Sequence, residues 1–270
     1  MKVILSRKGF DSENGGCASP ILPDSTMISM PIPNEGENCK YTDLLFPDGR
    51  TYADVWQDLC PNTYHLDTCH LDPDIRQNIR NNPNNWEPAF GQTSSFQTHL
   101  ENNSVTVGDL FLFFGWFRQT EYKDGHLEYK KDAPDIQAIY GYLQVGKILT
   151  GLDVRNLPWH PHSNDTFIYD EQHLLTNNTI YVASPKLIID GKDTGLPGSG
   201  TINYSDNCVL TAPGKSRSRW KLNGVFGEVP LTYHYENKIK DGYFQSVPKG
   251  QEFVFDEDAR VTEWAKSILL

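Results

Sequence analysis

Residues 107–119 read VGDLFLFFGWFRQ. A Gly-Asp turn is followed by a run that stays apolar through successive positions. A strand with one wet face alternates polar and apolar residues, so an unbroken apolar run signals a strand covered on both faces. Asp124-Gly125, between EYK and HLEYK, carries the chemistry of a tight hairpin turn. Residues 136–149, IQAIYGYLQVGKIL, read as a second long strand. These segments predict a sheet at the centre of the chain.

The flanks supply helices and shorter strands. GQTSSFQTHLENN, starting at Gly91, predicts a helix capped by Thr93 or Ser94, with Phe96 and Leu100 on one face. TIYVAS, KLIID, NCVLTA and SRWKL read as later strands. QEFVFD leads into a helix over 258–270, where Val261, Trp264, Ala265 and Ile268 share a face. The first ninety or so residues are dominated by turn chemistry, with YADVWQDL a short helix and TYHLDTCHL a strand. Seventeen prolines and twenty-one glycines spread along the chain favour short strands over long helices. The expectation is an α+β, β-rich single domain over 1–270, with a central bent sheet or partly closed barrel and peripheral helices.

Net charge is −11, which opposes nonspecific nucleic-acid binding unless the positive residues are concentrated. No run approaches the ~20 apolar residues of a membrane helix. The start, MKVILSRKGF, lacks the pattern of a signal peptide. Five scattered cysteines without a Cys-x-x-Cys pair read as reduced thiols, and so as a cytoplasmic protein.

Three segments carry candidate chemistry. In KVILSRKGFDSENGG, Arg7 is a fork suited to phosphate or carboxylate. Asp11 is a carboxylate on the following loop, and Gly15-Gly16 leaves the backbone bare there. A bound nucleotide would suit these parts; so would an Arg–Asp pair closing a turn. In HLDTCHLDPDI, His70, Asp72 and Asp74 alternate and would share one strand face. They suit acid/base work or a metal, His-x-Asp being the opening of a two-histidine, one-carboxylate site. Asp72-Pro73-Asp74 equally suits a cap for a helix starting near Ile75. WHPH, with His160 and His162, adds little to the metal reading, and no metal is assigned. In PGKSRSRWK, Lys215, Arg217, Arg219 and Lys221 would form one positive edge if extended. That edge suits phosphates or a charge-protected solvated strand.

The central strands, over 91–150, resemble PUA-like barrels, including the ASCH, EVE and YTH modules, which hold nucleobases in a pocket. More extensively, LSRKGFDS, HLDPDI, PAFGQ, GDLFLFFGWF, NNTIYVAS, LTAPGKSRSRW and GQEF resemble the nucleotide modification associated domain 3 family, from Met1 almost to Leu270. The resemblance implies a role with modified bases of bacterial and phage DNA. It carries over polar motif positions onto Arg7, Asp11, Ser12, Gly15, Gly16, His70, Asp72, Asp74, Gln92, Asp109, Asn178, Arg217, Arg219, Gln251 and Glu252.

Carboxylates, amides and aromatics, with no P-loop and no dinucleotide-binding glycine motif, suit N-glycosidic bond cleavage. A carboxylate can stabilise the sugar cation as the base departs, once the nucleotide has left the stack. The expectation is therefore a DNA glycosylase that excises a modified base in antiphage defence and needs no cofactor. Asp11 is the expected catalytic carboxylate, with Asp74, Asp72 and His70 as further candidates. Arg7, Ser12, Gly15, Gly16, Gln92, Asn178 and Gln251 would hold base and sugar. Lys215, Arg217, Arg219 and Lys221 would hold phosphate. A base-modifying transferase or oxygenase and a non-catalytic reader are the alternatives. All of these sites are expected to converge in one pocket.

Overall fold

The two long strands pair as their sequences require. In the computed structural model, β6 (Leu110–Lys123) runs antiparallel to β8 (Ile136–Thr150), and Asp124-Gly125 turns β6 into β7 (His126–Tyr129). The structure describes all residues except 171–172, 175–176, 235–237 and 248–249, and the backbone alone at 169–170 and 173–174.

β6 and β8 lie within a nine-stranded mixed sheet. Its main path adds β1 (Val3–Arg7), β5 (Ala89–Gln92), β11 (Thr179–Ala183) and β18 (Glu252–Val254), in the order β18-β1-β6-β8-β11-β5. β2 (Ser19–Ile21) and β7 pair with β6, and β14 (Ser199–Thr201) pairs with β8. β1 and β2 run parallel to β6, and the remaining ladders of this sheet are antiparallel. The sheet is open. A partly closed barrel, the alternative expected from the central strands, does not form.

The apolar run of β6 is covered on both faces, and strand alternation sorts its side chains. Phe111 and Phe113 point to one face, against Phe90 of β5, with ring centroids 5.0 and 5.3 Å away. Phe114 points to the other face, where it meets Trp220 and Phe253. On that second face lies α4 (Ala259–Leu269), capped by Asp258 and burying Val261, Ala265 and Ile268. Burying side chains of the larger sizes contributes about 1.5–3 kcal/mol each. Trp220 belongs to β15 (Arg219–Trp220), which forms a small sheet with β17 (Tyr243–Gln245) and β16 (Ile239–Lys240). A separate apolar cluster forms around Phe10, Tyr41 and Trp56, the last on α1 (Tyr52–Leu59).

α2 (Ser94–Asn102) follows β5 as expected, although the Thr93 side chain makes no capping bond. TYHLDTCHL contributes only β4 (Cys69–His70), paired with β3 (Ile32–Pro33), because loop contacts replace a longer ladder. No helix starts near Ile75: the Asp74 backbone instead bridges to Ala89 in both directions. The chain then carries a short α3 (Asp165–Ile168), the ribbon of β9 (Tyr169–Asp170) with β10 (His173–Leu174), and the hairpin of β12 (Ile188–Ile189) with β13 (Lys192–Asp193). Among the described residues no helix is long and apolar enough to cross a membrane.

Candidate active site

Four loops and strand ends bring polar side chains to one place beside β5. The β3–β4 ladder sets His70 opposite Ile32, and the chain then turns so that the Asp72 amide bonds the His70 carbonyl. The 157–164 segment folds into tight turns that deliver His160 and His162. Gly91 admits them. A Cβ at this position would stand 2.3 Å from the His162 ring and 2.8 Å from His160 Cε1, so only glycine fits. Asn178 arrives just before β11, whose first residue pairs with Gln92.

The bonding pattern fixes the protons. His70 Nδ1 lies 2.7 Å from Glu37 Oε1. An ionised carboxylate only accepts, so Nδ1 carries hydrogen. Asn178 Nδ2 donates to the His162 carbonyl at 2.8 Å, which turns the amide oxygen toward His162 Nδ1, also at 2.8 Å. His162 Nδ1 is therefore a donor too. The other ring nitrogen of each, Nε2, faces Asp72 Oδ2, from 3.9 Å for His70 and 4.0 Å for His162. These three atoms lie within 4.8 Å of one another, a grouping able to hold a metal ion.

Asp72 is held from its other side. Its Oδ1 accepts the Gly91 N–H at 2.8 Å. His160 Nε2 lies 3.4 Å from the same oxygen, near but poorly aligned for a hydrogen bond. His160 Nδ1 accepts the His162 N–H at 3.2 Å, which leaves the His160 proton on Nε2, facing Asp72. The site is almost enclosed: Asp72 and His162 are 4% exposed at the side chain, and His70 is 11% exposed. Burial drives the His162 pKa down to about 3, favouring the neutral ring. Burial alone would raise the Asp72 carboxyl, but His160, His162 and Lys8 outweigh it and hold the pKa well below the usual carboxylate range. Burial opposes ionisation of Glu37 as well, and its bonds to His70 and Asn34 outweigh that.

A second polar layer adjoins the first. Lys8 Nζ pairs with Glu252 Oε1 at 3.1 Å, with the side chains 9% and 0% exposed, and lies 4.3 Å from the Phe90 ring centroid. Glu252 Oε1 also accepts from Ser6 Oγ at 3.0 Å and Gln92 Nε2 at 2.7 Å. Gln92 Nε2 is 3.5 Å from Gln251 Oε1. His70, Asp72, Gln92, Asn178 and Gln251 thus fall in one region.

The rest of the predicted set lies elsewhere. Arg7 alternates with Ser6 and Lys8, so it projects from the opposite sheet face, beside Phe114 and Phe253, and donates to the Val247 carbonyl at 3.1 Å. Asp11 caps its own turn, accepting from the amides of Glu13 at 2.8 Å and Asn14 at 2.7 Å. Arg217 donates to Ser12 Oγ at 3.1 Å and stacks on Trp116, 3.7 Å from the ring centroid. The expected single pocket therefore divides in two, because a strand sends adjacent residues to opposite faces. The basic segment is not an extended row either. Turns fall at 213–214 and 217–218, Lys215 and Arg219 lie by Tyr243, and Lys221 Nζ donates to the Asp206 carbonyl. Asp74 is buried against Arg80 and Trp86 Nε1, and burial raises its pKa.

Gly15 and Gly16 adopt positive φ, and the Phe10 ring occupies the space a Gly15 Cβ would need. Both glycines, with Glu13, Asn14, Pro33 and Tyr64, line an open cleft of about 350 Å³. Pro33, in the wall of this cleft, is paired with Cys69, and strand alternation sends the next residue, His70, to the other face of this short ladder.

Sequence reasoning missed Lys8, Glu37 and the weight of His160 and His162. Lys8 was legible as the strand-mate of Ser6. Glu37 and the WHPH histidines sit on loops whose meeting depends on the whole fold.

Residues 2–256 match a family model described as nucleotide modification associated domain 3. No curated protein and no solved structure matches the chain.

Proposed function

The chain belongs to the nucleotide modification associated domain 3 family, and from that premise we propose that it excises a modified base from DNA at the His70–Asp72–His162 centre, in defence against phage. The family ties the chain to nucleotide modification. The observation that carries the reading further is the convergence of an ionised, buried carboxylate with two imidazole lone pairs.

In N-glycosidic hydrolysis the C1′–N bond breaks with its electrons going to the base, and the sugar gains positive charge. Asp72 stabilises that charge from an enclosed site, where electrostatic interactions are strong. Water supplies the new O–C1′ bond, and an Nε2 of His70 or His162 takes its proton. The departing base is protonated in turn. The cleft beside Gly15, Gly16 and Pro33, with exposed Tyr64 available for stacking, is proposed to receive the extruded nucleoside. His70, Asp72 and His162 do not line it, so the reading requires the loops between them to rearrange when DNA binds. Lys215, Arg217 and Arg219 are proposed to contact flanking phosphates. In this assignment Asp72 replaces Asp11 as the catalytic carboxylate, since the Asp11 oxygens serve a turn.

A second reading, modification of the base without its release, is favoured by the two-histidine, one-carboxylate donor set. One experiment separates the two. DNA carrying a panel of modified bases is incubated with the protein and treated with alkali, which cuts at abasic sites. Excision predicts strand scission on at least one substrate. Intact strands whose base has changed mass would establish modification instead, and unaltered DNA across the panel would overturn both.

A further inference from the structure

We propose that His70 Nε2, Asp72 Oδ2 and His162 Nε2 bind a divalent first-row transition metal ion. The proposal rests on the donor atoms alone; an ion held there would occupy the lone pairs that the excision reading assigns to proton transfer and charge stabilisation, so the two assignments are alternatives at these atoms.

Three acceptor atoms face one another within 4.8 Å. With both Nδ1 atoms committed to Glu37 and Asn178, each ring has only Nε2 left to ligate, and both Nε2 atoms lie about Asp72 Oδ2, at 3.9 and 4.0 Å. The surroundings also match what metal-ligating histidines require: each donates its second ring N–H to an oxygen, which fixes the tautomer and raises ligand basicity. Here Glu37 serves His70 at 2.7 Å and Asn178 serves His162 at 2.8 Å. Glu37 is itself fixed by Asn34 Nδ2 at 2.9 Å and Asn164 Nδ2 at 3.0 Å. Asp72 is oriented by the Gly91 N–H on Oδ1, leaving Oδ2 for the ion.

Ligand type narrows the ion. Imidazole with carboxylate suits zinc, iron, cobalt, nickel or manganese better than magnesium or calcium, which favour all-oxygen sets. Three protein ligands leave at least one position open, the pattern of a catalytic rather than a structural site. Donors about 2.1 Å from a tetrahedral ion stand roughly 3.4 Å apart. The 3.9 and 4.0 Å separations seen here contract modestly on binding. His70, the most exposed of the three, marks the side from which the open position is reached.

The test uses the full chain without a histidine tag, stripped of metal by dialysis and titrated with Co(II), then with Zn(II), Mn(II) and anaerobic Fe(II). Calorimetry gives stoichiometry, and visible absorption reports the cobalt ligand field. The expected result is one ion per chain with a Co(II) spectrum of mixed nitrogen and oxygen ligation. Asp72→Asn, close in shape to the parent side chain, and His162→Ala should each weaken binding at least 100-fold. Glu37→Gln, which touches no metal, should weaken it about 10–100-fold. His99→Ala, a histidine outside the centre, should bind as the parent does. Circular dichroism establishes that each variant is folded. Absence of binding by all four ions, or unchanged affinity in folded Asp72→Asn or His162→Ala, would overturn the proposal. So would nitrogen NMR showing His70 as an imidazolium between Glu37 and Asp72 in metal-saturated solution. No DNA is present, so failed base release with intact metal binding would count against the excision reading alone.

Discussion

Gly91→Ala is the sharpest perturbation the structure offers. The added Cβ would stand 2.3 Å from His162 Cδ2, 2.4 Å from its Cγ and 2.8 Å from His160 Cε1. Ordinary carbon contacts lie at about 3.5–4.0 Å, so the His162 ring must retreat by more than about 1 Å. It has little room to do so. Phe167 stacks on the ring at 4.7 Å, and Asn178 holds both its Nδ1 and its backbone carbonyl. Overpacking of this kind costs about 1–3 kcal/mol of stability. A shift of that size also withdraws one of three ligand atoms, and on the order of 100-fold in cobalt affinity should go with it. Urea unfolding and cobalt titration on the same preparation measure both effects. Gly227→Ala is the control: its positive φ and a Cβ 2.4 Å from Ile239 on β16 should lower stability, and neither residue lies on an element that carries a ligand atom, so cobalt affinity should persist. A Gly91→Ala protein with parental urea midpoint and parental cobalt affinity would refute the placement of His162 and the reasoning built on it.

Further expectations concern the layers around the centre. Glu252→Gln leaves the Lys8 ammonium buried without its counter-charge and should cost about 3–5 kcal/mol in urea unfolding, with Lys8→Met in the same chain recovering most of the loss. Asp11→Asn keeps an acceptor for the Glu13 and Asn14 amides, so urea unfolding should show less than about 0.5 kcal/mol of change. His234 is held neutral, its pKa pushed down to about 4 by burial, against about 6.5 in the unfolded chain. The unfolded state therefore takes up a proton first as pH falls. The stability His234 contributes is complete above about pH 6.5 and lost toward pH 4, on the order of 3 kcal/mol. His234→Gln should flatten urea midpoints across that window; an unchanged slope would remove His234 as its source.

Legibility in the sequence followed the range of the interactions. The apolar run of β6, the Asp124-Gly125 hairpin, α1, α2 and α4 all follow from local patterns, and each forms. The residues after Asp72 did not become a helix, because Asp74 is tied through its backbone to Ala89 and through its side chain to Arg80 and Trp86. The basic run 215–221 reads as a strand by alternation, yet Lys215 and Arg219 lie by Tyr243, Arg217 lies on Trp116 and Lys221 bonds the Asp206 carbonyl. At the site, His70 and Asp72 were visible as a pair. Their partners His160 and His162 are about ninety residues away on a loop, and no local periodicity marks them. Arg7 ends the first strand and Asp11 follows it, which suggested the pocket, but strand alternation alone would have set Arg7 apart from Ser6 and Lys8.

The most direct test of where and on what this protein acts is mass spectrometry of material released from DNA bearing modified bases, run with the parent protein, Asp72→Asn and Asp11→Asn side by side. A free modified base is expected from the parent and from Asp11→Asn, and none from Asp72→Asn. Release by Asp72→Asn at the parental rate would contradict the catalytic role of Asp72.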